Sequence, residues 1–228
     1  MFDLFKKAIH TIGKQLRESS PFSTVSTYKE ETGKGIFSAV SNKGSYGEFL
    51  SYKKLSALPG YHKVLFNIYL PNGKGQTTEI DVVFLHETGV YVIESKNYSG
   101  WIFGNEKDMN WMQTFPNGKK YPFYNPIKQN AGHIRALQSI LPSIDSGLYK
   151  SLIVFSERCS LKKVYHDSPN TYVMNRNHLK KIMTEEINSS SYQLEPEYID
   201  KVYRFLSHYS KAEQIVKEQH VETIQGRK

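Results

Sequence analysis

The clearest pattern in the chain is a pair of apolar runs, Ile80–Leu85 and Val90–Ile93, on either side of His86-Glu87-Thr88-Gly89. Both runs are rich in β-branched and aromatic residues, and Gly89 marks a turn, so the stretch predicts a β-hairpin. A turn centred on Glu87-Thr88 sets Leu85 opposite Val90 and Val83 opposite Val92. It also sets Asp81 opposite Glu94 and Glu79 opposite Lys96. Side chains alternate in a strand, so Asp81, Val83 and Leu85 share a face with Val92, Glu94 and Lys96.

Elsewhere the periodicity predicts a basic amphipathic helix over residues 2–17, with Phe2, Phe5, Ile9, Ile12 and Leu16 as its stripe. A Ser/Thr/Gly/Lys-rich linker follows. A helix runs from Ser45 to about Leu58, where Ser45-x-x-Glu48 reads as a capping box and Pro59-Gly60 as the stop. His62–Leu70 alternates as a strand, and Pro71–Gly75 is a turn. After the hairpin come short strands at Trp101–Phe103 and Asn110–Phe115, then a turn at Pro116-Asn117-Gly118. The two tryptophans and Phe103 are expected to form the small core of this aromatic segment. Asn125-Pro126 opens a helix to about Leu141, by N-cap and first-turn preference. Ser151–Phe155 and Thr171–Met174 read as strands. Asn177–Ile187 and Glu197–Gln219 read as helices.

Chemistry enters at the open end of the hairpin. Opposed strand residues have Cβ atoms roughly 4.5–5.5 Å apart. Two carboxylates that close repel each other and lose hydration, so the pair calls for a cation. Lys96 lies beside them. Two acids sharing a divalent metal next to a lysine can run metal-assisted phosphodiester hydrolysis. The plainer alternative is a solvated strand end. Gln129 and His133, four apart, share one face of the following helix, and His133 reads as an ordinary helix residue. Lys119 and Lys120, among aromatic residues, suit phosphate contact.

Composition narrows the classes. The 228 residues carry 30 Lys+Arg against 22 Asp+Glu, a net charge of +8 that favours a polyanionic partner. The single cysteine, Cys159, excludes an intrachain disulfide or a zinc-finger framework and fits a reducing cytoplasm. No apolar run approaches the ~20 residues of a membrane span, and no signal peptide is evident. A cytoplasmic location is expected. No GxxxxGK[ST], HExxH, GxSxG or GxGxxG motif occurs.

Asp81 followed by Glu94-Ser95-Lys96 resembles the PD-(D/E)xK nuclease superfamily. More closely, the chain resembles the NERD (nuclease-related) domain. The matching residues are Gly47-Glu48, Glu79-Ile80-Asp81, Gly89 through Tyr98, Gly100, Trp111, and Asn125-Pro126-Ile127 with Gln129. Ser95 stands where an apolar residue is expected, and Ile80 replaces the superfamily's proline.

The resemblance implies an α/β fold of restriction-endonuclease type: a mixed central sheet of about five strands flanked by helices, with an inserted aromatic β-flap and a C-terminal helix. The expected organisation is an N-terminal helix and linker (1–42), a nuclease-related domain (43–175) and a packed helical extension (176–228). The expected activity is a divalent-metal-dependent nuclease, with DNA the favoured substrate. Asp81 and Glu94, with the Ser95 carbonyl and Glu48, would hold Mg²⁺ or Mn²⁺. Lys96 would stabilise the phosphorane charge or help position and deprotonate water, and Gln129 would support it. Asp81→Asn or Lys96→Ala should abolish cleavage with little loss of folding. The alternative is a catalytically silent module that binds nucleic acid or protein. The terminal helices offer surfaces for a homodimer or partner protein, and helix 2–17 for peripheral membrane contact, the less favoured use.

Overall fold

A computed structural model describes residues 43–71, 77–191 and 193–210, without the side chains of 43–46 and 48. Helix 2–17, its linker through residue 42, most of the Pro71–Gly75 turn and the last part of the C-terminal helix lie outside the described residues. The chain divides into two compact units, residues 1–57 and 58–228.

In the first unit, helix α1 spans Lys43–Leu55. Ser45 is thus its third residue and not its cap, so the capping-box reading of Ser45 and Glu48 falls away. The helix also ends three residues before Leu58.

In the second unit, a five-stranded mixed sheet is built from β1 (His62–Pro71), β2 (Thr77–His86), β3 (Gly89–Lys96), β7 (Tyr149–Phe155) and β9 (Thr171–Asn175), in that order. The β2–β3 hairpin has the expected register, with His86 opposite Gly89 and Val83 opposite Val92. Gly89 has φ of 146°, and a Cβ there would meet the Leu148 carbonyl at 2.5 Å, so only glycine fits. β3, β7 and β9 run parallel. Buried on both faces, β3 and β7 read as continuous apolar runs, as parallel strands do.

Helix α2 (Pro126–Ile140) packs on β7, β3 and β2 through Ala136 and Leu137. Helix α4 (Pro196–Ser210) packs on β1, with Ile199, Val202 and Leu206 in the same core. Tyr61 donates to Asp200 at 2.7 Å and fixes that contact. Helix α3 (Leu179–Ser189) buries Leu179 and Met183.

The aromatic segment forms a second, four-stranded sheet in the order β6-β5-β4-β8: Lys120–Tyr124, Asn110–Thr114, Gly100–Asn105 and Cys159–Tyr165. Strand β8, which carries Leu161-Lys162-Lys163, has no counterpart in the sequence reading. Its exposed, lysine-rich positions hide the apolar signal. The predicted turn is present: Gly118 donates to the Phe115 carbonyl at 2.9 Å, with Gly118 at φ 81°.

The two tryptophans part company. Trp111 is 1% exposed and stacks on Phe155 at 6.2 Å, with its Nε1 donating to the Asn105 carbonyl. Trp101 is 39% exposed, which corrects its expected place in the core. Strand alternation puts Ile102 and Trp111 on the inner face and Trp101 on the outer one.

Candidate active site

The site forms where the central hairpin opens. Strand pairing of β2 with β3 stops at Val82 and Ile93, so Glu79 is not paired with Lys96. Glu79 pairs instead with Tyr69 on β1 and accepts its hydroxyl at 2.8 Å. Beyond the last pair, the Asp81 carboxylate takes over: its Oδ2 accepts the Ser95 amide at 2.8 Å. On the other edge of β2, pairing with β1 lapses opposite Asp81, between Phe66↔Val82 and Ile68↔Ile80. Asn67 there has φ of 50°, in the left-handed region that asparagine tolerates. Asp81 therefore sits at a break in the ladder, with its side chain used as backbone partner.

Glu94 is 3% exposed. Its Oε1 meets Lys96 Nζ at 2.7 Å, and its Oε2 meets His133 Nε2 at 3.0 Å. Lys96 Nζ also donates to Gln129 Oε1 at 3.0 Å. The i, i+4 spacing of Gln129 and His133 thus puts one on the lysine and the other on the acid. His133 was passed over in the sequence because a single helical histidine has no local signal. Its partner lies 39 residues away. Thr78 Oγ1 approaches His133 Nδ1 at 2.9 Å. An ionised Glu94 only accepts, so Nε2 carries the proton and, in the neutral ring, Nδ1 accepts from Thr78.

Helix α2 is held in phase by Asn125 and Asn130. Asn125 Oδ1 accepts the Ile127 and Lys128 amides as N-cap. Its Nδ2 donates to the Asn105, Glu106 and Asp108 carbonyls at the β4–β5 turn. Asn130 Nδ2 donates to the Val92 carbonyl and to Ser151 Oγ, tying the next turn to β3 and β7.

The electrostatics of the two acids diverge. Burial and the neighbouring Glu94 charge push the Asp81 carboxyl well above its usual range, against the Ser95 amide and Lys96. Burial also pushes Glu94 up, but the Lys96 charge and the His133 hydrogen bond outweigh it and leave it lowered. Burial pulls Lys96 down, yet Glu94 more than compensates and leaves the ammonium raised. Glu94 and Lys96 are a charged pair, and Asp81 is the group short of positive charge.

The donor set fits a hard cation. Asp81 makes one hydrogen bond among the described residues, and its second oxygen makes none. Glu94 uses two of the ~four acceptor positions of a carboxylate. Among the described residues no group of three His, Cys, Asp or Glu side chains converges. Mg²⁺ needs no such cage, because it takes one or two carboxylates and keeps several waters. Glu48 lies on α1, and its side chain is outside the described residues. Lys119 and Lys120 are exposed on the flap and take no part in these contacts among the described residues.

Residues 43–156 match the nuclease-related domain family, NERD. The chain belongs to that family. An uncharacterized protein of Bacillus anthracis is 34% identical over 190 residues, spanning 81% of this chain and 85% of that protein. The crystal structure of protein VC1899 from Vibrio cholerae is similar at 12% identity and a TM-score of 0.29, over 62% of this chain and 33% of that one. The NERD match spans the hairpin, the flap strands β4–β6, helix α2 and β7, so all four residues joined at the site lie within it. The α/β architecture is consistent with a nuclease-like fold. No helix among the described residues is long and apolar enough to cross a membrane.

Proposed function

We propose that this NERD protein is a divalent-metal-dependent nuclease of the PD-(D/E)xK type, hydrolysing phosphodiester bonds with DNA as the favoured substrate. The observation that carries the reading is the convergence of Asp81, Glu94, Lys96 and Gln129 at the end of one hairpin, where buried Glu94 and half-buried Asp81 have a single lysine to balance them.

Asp81 and Glu94 would hold Mg²⁺ or Mn²⁺, with the Ser95 carbonyl as a further candidate oxygen donor. When bound, such an ion supplies Lewis-acid polarisation of the phosphoryl oxygen and lowers the pKa of water. The Glu94 charge raises the Lys96 ammonium, which favours stabilising negative charge on the phosphorane as its role. Gln129 fixes where that ammonium points. His133, itself held by Thr78, keeps Glu94 ionised and oriented, as partners behind a metal-binding carboxylate do.

Asp81→Asn is the cleaner test of this assignment. The amide retains an acceptor for the Ser95 N–H and removes a charge that burial already opposes. Lys96→Ala, by contrast, strips the ion pair from buried Glu94 and so is expected to cost stability as well as cleavage. Labelled linear and circular DNA would be incubated with Mg²⁺, Mn²⁺ or EDTA. Metal-dependent cleavage by wild type, lowered about 10²–10³-fold in Asp81→Asn, is the expected result. Equal cleavage by both proteins would sink the site. No cleavage with any metal, with salt-sensitive binding retained, would assign the chain to the silent binding module.

A further inference from the structure

The geometry points to the outer face of the flap as a stacking platform for an unpaired nucleic-acid strand. This extends the nuclease reading by naming the form of strand the protein grips, and it rests on different residues. Five of the six exposed large apolar side chains among the described residues, Trp101, Met109, Tyr121, Tyr124 and Tyr165, belong to the flap strands or their connections. Exposed apolar surface concentrated in one region marks an interaction site.

The register puts Trp101, Tyr124 and Tyr165 on the outer face, and Tyr121, opposite Gln113 and so in the row of Ile102, on the inner one; the outer face is arranged in rows. Lys120, Thr114, Trp101 and Ser160 are successive cross-strand partners, as are Pro122, Met112, Phe103 and Lys163. The register shift between Ile102 and Phe103 inserts Lys162 as an extra residue. A bulge re-aims side chains locally, and here both consecutive lysines line one open depression of about 410 Å³ with Trp101 and Phe103.

Two contrasts identify the occupant. On the inner face, the rings engage one another: Trp111 with Phe155, Tyr98 with Phe123. On the outer face, Trp101 and Phe103 make no ring contact among the described residues, leaving flat π surfaces open. The four flap strands carry Lys120, Lys162 and Lys163 and no acidic residue. None of these ammonium groups has a hydrogen bond or ion pair among the described residues. Open rings beside unpaired cations match bases to stack and phosphates to neutralise, which a single strand presents together. A duplex keeps its base faces inside its own stack. Five residues separate Trp101 from Lys96, so their Cα atoms lie no more than about 18 Å apart. A strand held on the flap thus lies near the acid site.

The test is binding in EDTA, where cleavage plays no part. Fluorescein-labelled (dT)12 and a 12-base-pair duplex would be titrated with full-length wild type, Trp101→Ala and Lys162→Ala/Lys163→Ala. Tighter binding of (dT)12 than of duplex is expected. Trp101→Ala should weaken (dT)12 about tenfold and the duplex by less than about twofold, with an unchanged thermal midpoint. The double lysine variant should flatten the log–log salt slope by about 1.4 units, at ~0.7 per phosphate contact. Because Trp111 is buried, quenching of tryptophan emission by (dT)12 should vanish in Trp101→Phe.

Unchanged (dT)12 affinity in Trp101→Ala would overturn the proposal. So would equal weakening of both nucleic acids, or a wild-type self-association that Trp101→Ala abolishes, which would make a second copy the occupant. A wild type that binds (dT)12 through Trp101 but never cleaves DNA with metal would uphold the platform and defeat the nuclease.

Discussion

The hairpin end and the flap face carry similar numbers of charged groups and use them in opposite ways. At the hairpin end each charge has an assigned partner: Asp81 the Ser95 amide, Glu94 both Lys96 and His133, Lys96 also Gln129. On the flap face Lys120, Lys162 and Lys163 are solvent-exposed and carry none among the described residues. Chemistry at a phosphorus atom needs groups fixed to a fraction of an ångström before substrate arrives, and burial with hydrogen bonds achieves this. Grip on a flexible strand needs surfaces left open to meet it. The molecule separates these demands onto two sheets joined by the short segment after Lys96.

The largest effect that would sharpen the contrast concerns the two tryptophans. Trp111→Ala should cost about 3–5 kcal/mol of stability, read by denaturant unfolding, while Trp101→Ala should cost about 0.5 kcal/mol or less. Equal losses would mean that both rings are structural. Next, Lys96→Ala leaves Glu94 buried with only His133, and should destabilise by about 2–3 kcal/mol. The lysines of the flap should show no such penalty, and an unshifted unfolding curve for Lys96→Ala would contradict the paired site.

Asn125→Ala should cost about 2 kcal/mol, because it removes an N-cap and takes a donor from three carbonyls, of which Asn105's keeps the Trp111 indole. Hydrogen exchange should rise in the β4–β5 turn and the first turn of α2 together; protection lost in one alone would uncouple them.

A smaller effect is pH-dependent. A carboxyl whose folded pKa lies above its unfolded value favours the folded chain at low pH, and that advantage fades as pH rises through the folded value. In EDTA, Asp81→Asn should therefore gain stability relative to wild type as pH rises towards neutrality. Saturating Mg²⁺ should cancel or reverse the gain. A pH-independent difference would show that Asp81 is not short of positive charge. Smallest of all, Lys120→Ala should leave stability alone and lower the salt slope of (dT)12 binding by ~0.7; an unaltered slope would remove Lys120 from the gripping face.

The hairpin register and the placement of Asp81 and Glu94 where the hairpin opens were legible in the sequence because strand period and turn chemistry are local. So was the α2 boundary, since Asn125-Pro126 is a cap with a mechanism. Three features were not. Trp101 and Trp111 look alike in composition, and only the pairing of β4 with β5 decides which ring faces in. Strand β8 has exposed positions throughout its middle, so it lacks alternation and exists because β4 offers it an edge. His133 gains its role from residues brought up by tertiary folding, which no spacing within its helix records.

One side chain gives the architecture a modular character. Asn125 ends the flap and starts the helix that carries Gln129 and His133, so the phase of those two residues is set at a joint and not by the flap's surface. Outer-face residues such as Phe103, Lys120 or Lys163 can be exchanged without turning Gln129 away from Lys96. On the proposed reading, substrate preference would be open to change strand by strand while the hairpin end stays in alignment.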